Sequence, residues 1–352
     1  MSGTTNTSVS SSTEKGDGEG KTAAILIEGL KLTYSDGTEA VKDVTMEVPQ
    51  GEFFGFLGPN GAGKTTTIKV LVTLLQPTGG RVEVNGFDVK SKAQEVRESI
   101  GYMPQETSVD EELTARENIR FACRAYGVPR ERRAERIDEL LELVDLADVG
   151  DKKSGGFSGG MKKRLDAAMA LVHRPSLVFL DEPTTGLDPK ARNELWDYFE
   201  RINERGTTVL LTTQYLEEAD HLCERLAVIR DGGIVARGSP SKLKRRVGVE
   251  FLDVDVEGGR DTAREAAEVL RGEGIFGGDA SVEVTDRGLS ITANDARSRG
   301  SRLMVALDDA GIQVTGFDVR EPTLDDVFLA VTDDETDVSG GEDAGSRQGG
   351  SE

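Results

Sequence analysis

Cysteine is nearly absent from the 352 residues: Cys123 and Cys223 are the only two. That count excludes a disulfide framework and fits a reducing cytosol, with both thiols expected as small buried apolar groups. Two cysteines also cannot build a cysteine-rich structural zinc site. Long apolar runs are missing as well. Hydrophobic residues make up 36% of the chain, and no stretch approaches the roughly 20 residues that cross a bilayer. The chain is therefore expected to be soluble by itself. Positive charge is in short supply, with 43 Lys and Arg against 64 Asp and Glu and a net charge of −21. Such a chain repels phosphate backbones, so no nucleic acid partner is expected. The first residues lack the basic-then-apolar pattern of a secretory signal.

What is present divides into two units between polar tails. Residues 1–22 are Gly- and Ser-rich, residues 333–352 are acidic and Gly-rich, and both are expected to be disordered. The first unit, 23–246, opens with alternation typical of half-buried strands: Ile25 to Ile27, Leu30 to Tyr34 and Val44 to Val48. Phe53 to Leu57 is a short apolar run ending in a Gly-rich loop, and a helix is expected over Lys64–Leu75. Residues 110–148 read as helical, with Ile137, Leu140, Leu141 and Val144 at helical spacing. Val178–Leu180 and Val209–Leu211 are continuous apolar runs, as buried parallel strands require. Asp231-Gly-Gly233 marks a hairpin. The pattern predicts an α/β parallel sheet, preceded by an antiparallel β subdomain and interrupted by a helical insert. The second unit, 247–332, alternates strand and helix as β-α-β-β-α-β, the order of a ferredoxin-like α+β module. Between the units, Lys242 to Arg246 is a basic run, expected as a solvated helix end or linker.

Gly58-Pro59-Asn60-Gly61-Ala62-Gly63-Lys64-Thr65 follows an apolar strand and opens a helix, the context that gives a phosphate-binding loop its meaning. Glycines allow close backbone approach, loop N–H groups point at phosphate oxygens, and the helix start adds partial positive charge. Lys64 is expected at the β- and γ-phosphates of ATP, Thr65 on Mg²⁺, and Thr66 on a neighbouring phosphate. Asp181 follows four apolar residues at the carboxyl end of a strand, where open α/β sheets bind ligands, and is a second candidate for Mg²⁺. Glu182, beside it, is placed to take a proton from an attacking water.

Between these motifs lies Phe157-Ser158-Gly159-Gly160-Met161, which resembles the Leu-Ser-Gly-Gly-Gln signature of the ABC ATPases. Asp181-Glu-Pro-Thr-Thr-Gly-Leu-Asp188 resembles the acidic strand and following D-loop of the same family, and Gly101-Tyr-Met-Pro-Gln105 its Q-loop. The resemblance implies a P-loop NTPase fold and Gln105 near Mg²⁺ and water. It also implies Tyr34 stacked on adenine, although a lone aromatic at a strand end otherwise reads as packing. Ser158, Gly159 and Gly160 would contact ATP held by a second copy, with Asp188 as the D-loop carboxylate. Two residues depart from the pattern. Met161 replaces the signature Gln, and Gln214 stands where most members carry a switch His. A Gln can hydrogen-bond a γ-phosphate but cannot become charged near neutral pH. His221 is seven residues on, roughly 10 Å along a helix, too far to substitute; it and His173 are expected in local packing.

Thr212-Thr-Gln-Tyr-Leu-Glu-Glu-Ala-Asp220 and Glu321-Pro-Thr-Leu-Asp-Asp-Val-Phe-Leu329 narrow the resemblance to the ATPase subunits of daunorubicin-type drug-resistance exporters. It implies an ATP-hydrolysing subunit at the cytoplasmic face of the membrane, working as a homodimer with a separate integral-membrane permease docked near Tyr102–Phe121. The cargo is open among drugs, lipids, polysaccharides and ions. A non-transport ABC ATPase acting on DNA or ribosomes is the alternative. The short span from Lys64 to Ser158, the single ATPase unit and the negative charge all weigh against it. The charge itself predicts a salt-adapted, halophile-type protein, because at about 1 M salt the Debye length falls to roughly 3 Å and self-repulsion is screened. The melting temperature is then expected to be higher in molar KCl than at low salt; an equal or lower value would remove salt adaptation.

Overall fold

The computed structural model describes residues 22–247, 250–276, 280–293, 296–320 and 322–333. The tails expected to be disordered lie almost wholly outside these residues, as do Val249 and Glu321. Alternation does produce the opening strands, but as two long ones rather than three short ones: β1 (Ala23–Thr33) and β2 (Glu39–Pro49). β3 (Phe53–Leu57) is buried at every position and leads through the Gly-rich loop into α1 (Lys64–Leu71). That helix stops short of the expected Leu75; Thr73 adopts a left-handed conformation with φ 63°. β4 (Gly79–Val84), β5 (Phe87–Asp88), α2 (Ala93–Ser99) and β6 (Ile100–Met103) follow.

The helical insert is two helices, not one continuous stretch. α3 (Ala115–Ala125) begins with a capping box in which Thr114 and Glu117 satisfy each other's backbone N–H groups. α4 (Arg133–Leu143) buries Ile137, Leu140 and Leu141. α5 (Gly159–Ala170), β7 (Leu177–Asp181), α6 (Pro189–Glu204), β8 (Thr208–Thr213), α7 (Leu216–Leu222), β9 (Arg225–Arg230) and β10 (Gly233–Gly238) complete the first unit. The basic run lies on α8 (Pro240–Val247), with Leu243 buried and Lys244 paired to Asp220 at 2.6 Å.

Among the described residues one sheet of ten strands has the order β5-β4-β1-β2-β10-β9-β3-β8-β7-β6. β9, β3, β8, β7 and β6 run parallel, whereas β5, β4, β1 and β2 pair antiparallel. The two parts join where β10 meets β2 at Gly233 and Asp43. One apolar cluster joins the antiparallel strands, α1 and α2 to one face of the parallel strands, and a second packs the helical insert on the opposite face. Cys123 and Cys223 are buried free thiols in the latter.

The second unit contains β11 (Glu250–Val256), α9 (Gly259–Gly272), β12 (Ser281–Val284), β13 (Gly288–Ala293), α10 (Ala296–Asp309) and β14 (Val314–Arg320). Its antiparallel sheet, ordered β12-β13-β11-β14, carries both helices against its own apolar cluster. This is the expected ferredoxin-like α+β arrangement. The last helix, α11 (Leu324–Asp333), packs on α7 and α8, and Leu324 and Val327 are buried in the ATPase-unit cluster. The accessory unit is thus tied to the first unit at both of its ends.

Candidate active site

Parallel pairing of β3, β8 and β7 brings three strand ends together. The loop after β3, the carboxylates after β7 and Gln214 after β8 therefore share one edge of the sheet, although they lie far apart in sequence. The loop depends on backbone shapes that only glycine takes without strain. Gly63, at φ 104°, caps α1, and a Cβ there would sit 2.5 Å from the Ala40 carbonyl oxygen. Gly61 also has positive φ, 83°, but a Cβ there would meet nothing within 4 Å.

The Lys64 ammonium is almost fully buried. It donates to the carbonyls of Gly58 (2.7 Å) and Pro59 (3.1 Å) and lies 3.2 Å from Glu182 Oε1. Glu182 itself has a left-handed backbone, φ 47°, unusual for a residue with a side chain. Its N–H is directed at β8, at the Thr212 carbonyl (3.0 Å) and hydroxyl (3.1 Å), which holds the strained turn in place. The amide of Gln105 donates to Glu182 Oε2 at 3.1 Å, and Thr185 Oγ1 lies 3.4 Å from the same oxygen. Both carboxylate oxygens of Glu182 are thereby oriented.

Asp181 accepts hydrogen bonds at Oδ1 from Thr65 (3.1 Å) and Thr212 (2.6 Å). Burial pushes its carboxyl pKa up, against the opposing pull of those two hydrogen bonds. The hydroxyl of Thr65 and the carboxylate of Asp181 supply hard oxygen donors in contact, which suits Mg²⁺, an ion that takes its remaining ligands from phosphate and water. The residues present thus fit that metal. Tyr34, partly exposed after β1, shares a 3.1 Å hydrogen bond with Thr66.

Other residues singled out in the sequence stand on the outer side. Ser158 caps α5 by accepting from the Met161 N–H at 3.2 Å, with Ser158 and Gly159 exposed. Asp188 caps α6 through the Ala191 N–H at 3.0 Å. Gln214 is exposed beyond β8. Both histidines pack locally: His221 stacks on Trp196 (4.9 Å between centroids) and His173 on Tyr126 (4.1 Å).

Sequence reasoning overlooked four polar groups. Thr212 binds Asp181, and Glu218 on α7 is buried, accepting from Thr184 (2.8 Å) and Trp196 (3.0 Å). Lys163 and Asp166 on α5 are buried and bonded to the Gln105 segment. Their one signal was charge or polarity at positions where the apolar pattern points inward.

The ABC transporter family profile matches residues 41–185, and the profile of the ATP-binding protein DrrA1-3-like C-terminal domain matches residues 238–332. The chain is 43% identical to daunorubicin resistance ATP-binding protein DrrA3 of Streptomyces coeruleorubidus, over 90% of this chain and 98% of that one. It is 42% identical to the daunorubicin/doxorubicin resistance ATP-binding protein DrrA of Streptomyces peucetius, over 93% and 98%. Among solved structures, a dimeric ATP-binding cassette in a post-hydrolysis state bound to ADP and Pi aligns with TM-score 0.56 and 27% identity, covering 61% of this chain and 98% of that one. The chain belongs to the ABC transporter family and is an ATP-binding ATPase of that class. Within it, both the ATPase unit and the accessory unit are of the DrrA type. Membership implies a membrane permease partner and dimerisation. Among the described residues no helix is long and apolar enough to cross a membrane.

Gly63→Ala is expected to lower stability by about 1–3 kcal/mol from backbone strain alone, with the clash against Ala40 added. Gly61→Ala should cost less. Thermal melts together with fluorescent-nucleotide titration test this order; equal losses at the two positions would contradict it.

Proposed function

We propose that this chain is the ATP-hydrolysing subunit of a drug-resistance exporter, and that two copies of it close on two ATP molecules to drive a separate permease. The observation that carries the reading is the convergence of Lys64, Thr65, Gln105, Asp181 and Glu182 at adjacent parallel strand ends. In this reading ATP phosphates are cradled by the N–H groups of residues 58–66. They draw the Lys64 ammonium away from the Gly58 and Pro59 carbonyls and from Glu182. Glu182, freed from that ion pair and still held by Gln105, accepts the proton of the attacking water. Thr65 and Asp181 would hold Mg²⁺, with Gln105 as a further candidate ligand, and such an ion would supply neutralisation of phosphate charge.

Tyr34 lies against the same loop through Thr66 and offers its ring to adenine. Ser158 and Gly159, exposed at the start of α5, and Gly160 beside them face the ATP of a second copy, where the helix N-terminus favours phosphate. Asp188 faces that copy from the start of α6. The family resemblance and the dimeric solved relative support this homodimer. Gln214 replaces a charge-bearing switch with a neutral hydrogen-bonding group, so hydrolysis relies on Lys64 and Glu182 with a weaker sensor.

The permease surface is a groove beside β6, lined by Leu74, Arg97, Tyr102, Ala125 and Tyr126, with the exposed Phe121 on the neighbouring face of α3. Of the segment expected from sequence, Tyr102–Phe121, only Tyr102 lines this groove, which otherwise lies towards α1, α2 and the end of α3. A chain held there would sit at the cytoplasmic face of the membrane through its partner.

Glu182→Gln is expected to retain ATP on the purified protein while single-turnover cleavage falls by about 100-fold or more; wild-type cleavage would remove Glu182 as the base. Gln214→Ala should lower kcat by about tenfold, equivalent to roughly 1.4 kcal/mol at the transition state, with unchanged turnover showing that Gln214 senses nothing.

A further inference from the structure

Two charged side chains of α5 are buried, and the phosphate chemistry uses neither. Lys163 is 9% exposed and Asp166 2% exposed, on a helix that starts with the signature residues Ser158 and Gly159. Buried charges are retained only where they are paired or hydrogen-bonded. Here both find their partners in the same loop. The Lys163 ammonium donates to the Gln105 carbonyl at 2.6 Å. Asp166 accepts from the Ser108 N–H at 3.0 Å and 3.3 Å, and also from the Ser108 hydroxyl. Charge-assisted hydrogen bonds of this kind are shorter and stronger than neutral ones. The loop after β6 is otherwise exposed from Gln105 to Ser108, so these contacts decide where its backbone lies.

We propose that Lys163 and Asp166 latch the Gln105 loop to the signature helix, and that Lys163 is a positioning residue for hydrolysis, acting through Gln105 on Glu182. The chain of contact is continuous. Lys163 holds the Gln105 main chain, the Gln105 amide holds Glu182 Oε2 at 3.1 Å, and Glu182 meets Lys64 at 3.2 Å. Through it, the helix that presents Ser158 to a second copy is mechanically joined to the base in its own subunit. Any rotation of α5 displaces the Gln105 carbonyl and re-aims the Glu182 carboxylate.

The electrostatics agree with the geometry. Burial lowers the Lys163 pKa, whereas Asp166, Asp181 and Glu182 raise it. The ammonium therefore lies in the field of both site carboxylates without forming an ion pair with either. Lys163 sets the distance between its helix and the loop, and its charge offsets part of the negative potential around Asp181 and Glu182.

The inference rests on the assignment of Glu182 and Gln105 above, and a double-mutant cycle on the full-length chain separates the two. Lys163→Met is expected to lower the kcat of ATP hydrolysis by about tenfold with KM for ATP within about twofold, the pattern of a group that matters in the transition state. In a Gln105→Ala background the same substitution should change kcat by less than about twofold, because residues in one network are non-additive. Additive losses in the two backgrounds would overturn the latch, since a merely structural lysine weakens the fold whichever residue occupies position 105. A Gln105→Ala variant with wild-type kcat would instead overturn the site assignment on which the latch stands. If Lys163→Met does not fold, Lys163→Gln, which keeps a shorter donor, takes its place in the same cycle. Asp166→Asn, retaining an acceptor for Ser108, should then lose less kcat than Asp166→Ala; an equal loss would count against the latch.

Discussion

Lys64 and Glu182 form an ion pair 3.2 Å apart with both side chains almost entirely buried. Removing one member of such a pair leaves a charge in a medium that cannot solvate it, typically at a cost of about 3–5 kcal/mol. The surroundings are organised around keeping both charges satisfied. Gly58 and Pro59 turn carbonyls towards the ammonium, Gln105 turns its amide towards the carboxylate, and Thr212 anchors the strained Glu182 backbone. In the proposed reading, substrate phosphates take over the ammonium and thereby release the carboxylate, so this one buried pair supplies both groups.

The fold makes that pair possible by placing β3 beside β8 and β8 beside β7. Continuous apolar runs bury these strands on both faces, so their polar termini are forced to the sheet edge. Helices on either side then aim secondary groups inward. α5 brings Lys163 and Asp166 to the loop after β6. α7 brings Glu218 to Thr184 and Trp196, joining the segment after Glu182 to the helix after Gln214. Burial raises the pKa of the Glu218 carboxyl, and two hydrogen bonds to one of its oxygens hold it in place. The accessory unit joins the same region from outside, because α11 lies against α7 and α8.

Much of the architecture was legible in the linear pattern. Burial of β3, β7 and β8 follows from unbroken apolar runs, and the ferredoxin-like order of the accessory unit follows from its alternating periods. Boundaries were less legible. The break in the helical insert and the early end of α1 come from turn residues and packing, which periodicity does not record. α11 was grouped with the accessory unit by sequence proximity, yet it buries Leu324 and Val327 in the ATPase-unit core. An amphipathic helix reveals that it has an apolar face but not which surface covers it.

For the site the division is similar. Gly58 to Thr66, Gln105, Ser158 to Gly160, Asp181, Glu182, Asp188 and Gln214 could be named from local motifs, because phosphate chemistry demands particular residue types at short spacings. Sequence also determined the family, since those motifs occur in one order along one chain. Only the tertiary structure decided the support for these groups. Thr212, Lys163, Asp166 and Glu218 are separated from their partners by 31, 58, 58 and 34 positions. Their hydrogen bonds have no local period, and they exist because a folded interior brings distant polar atoms together and leaves few of them unpaired.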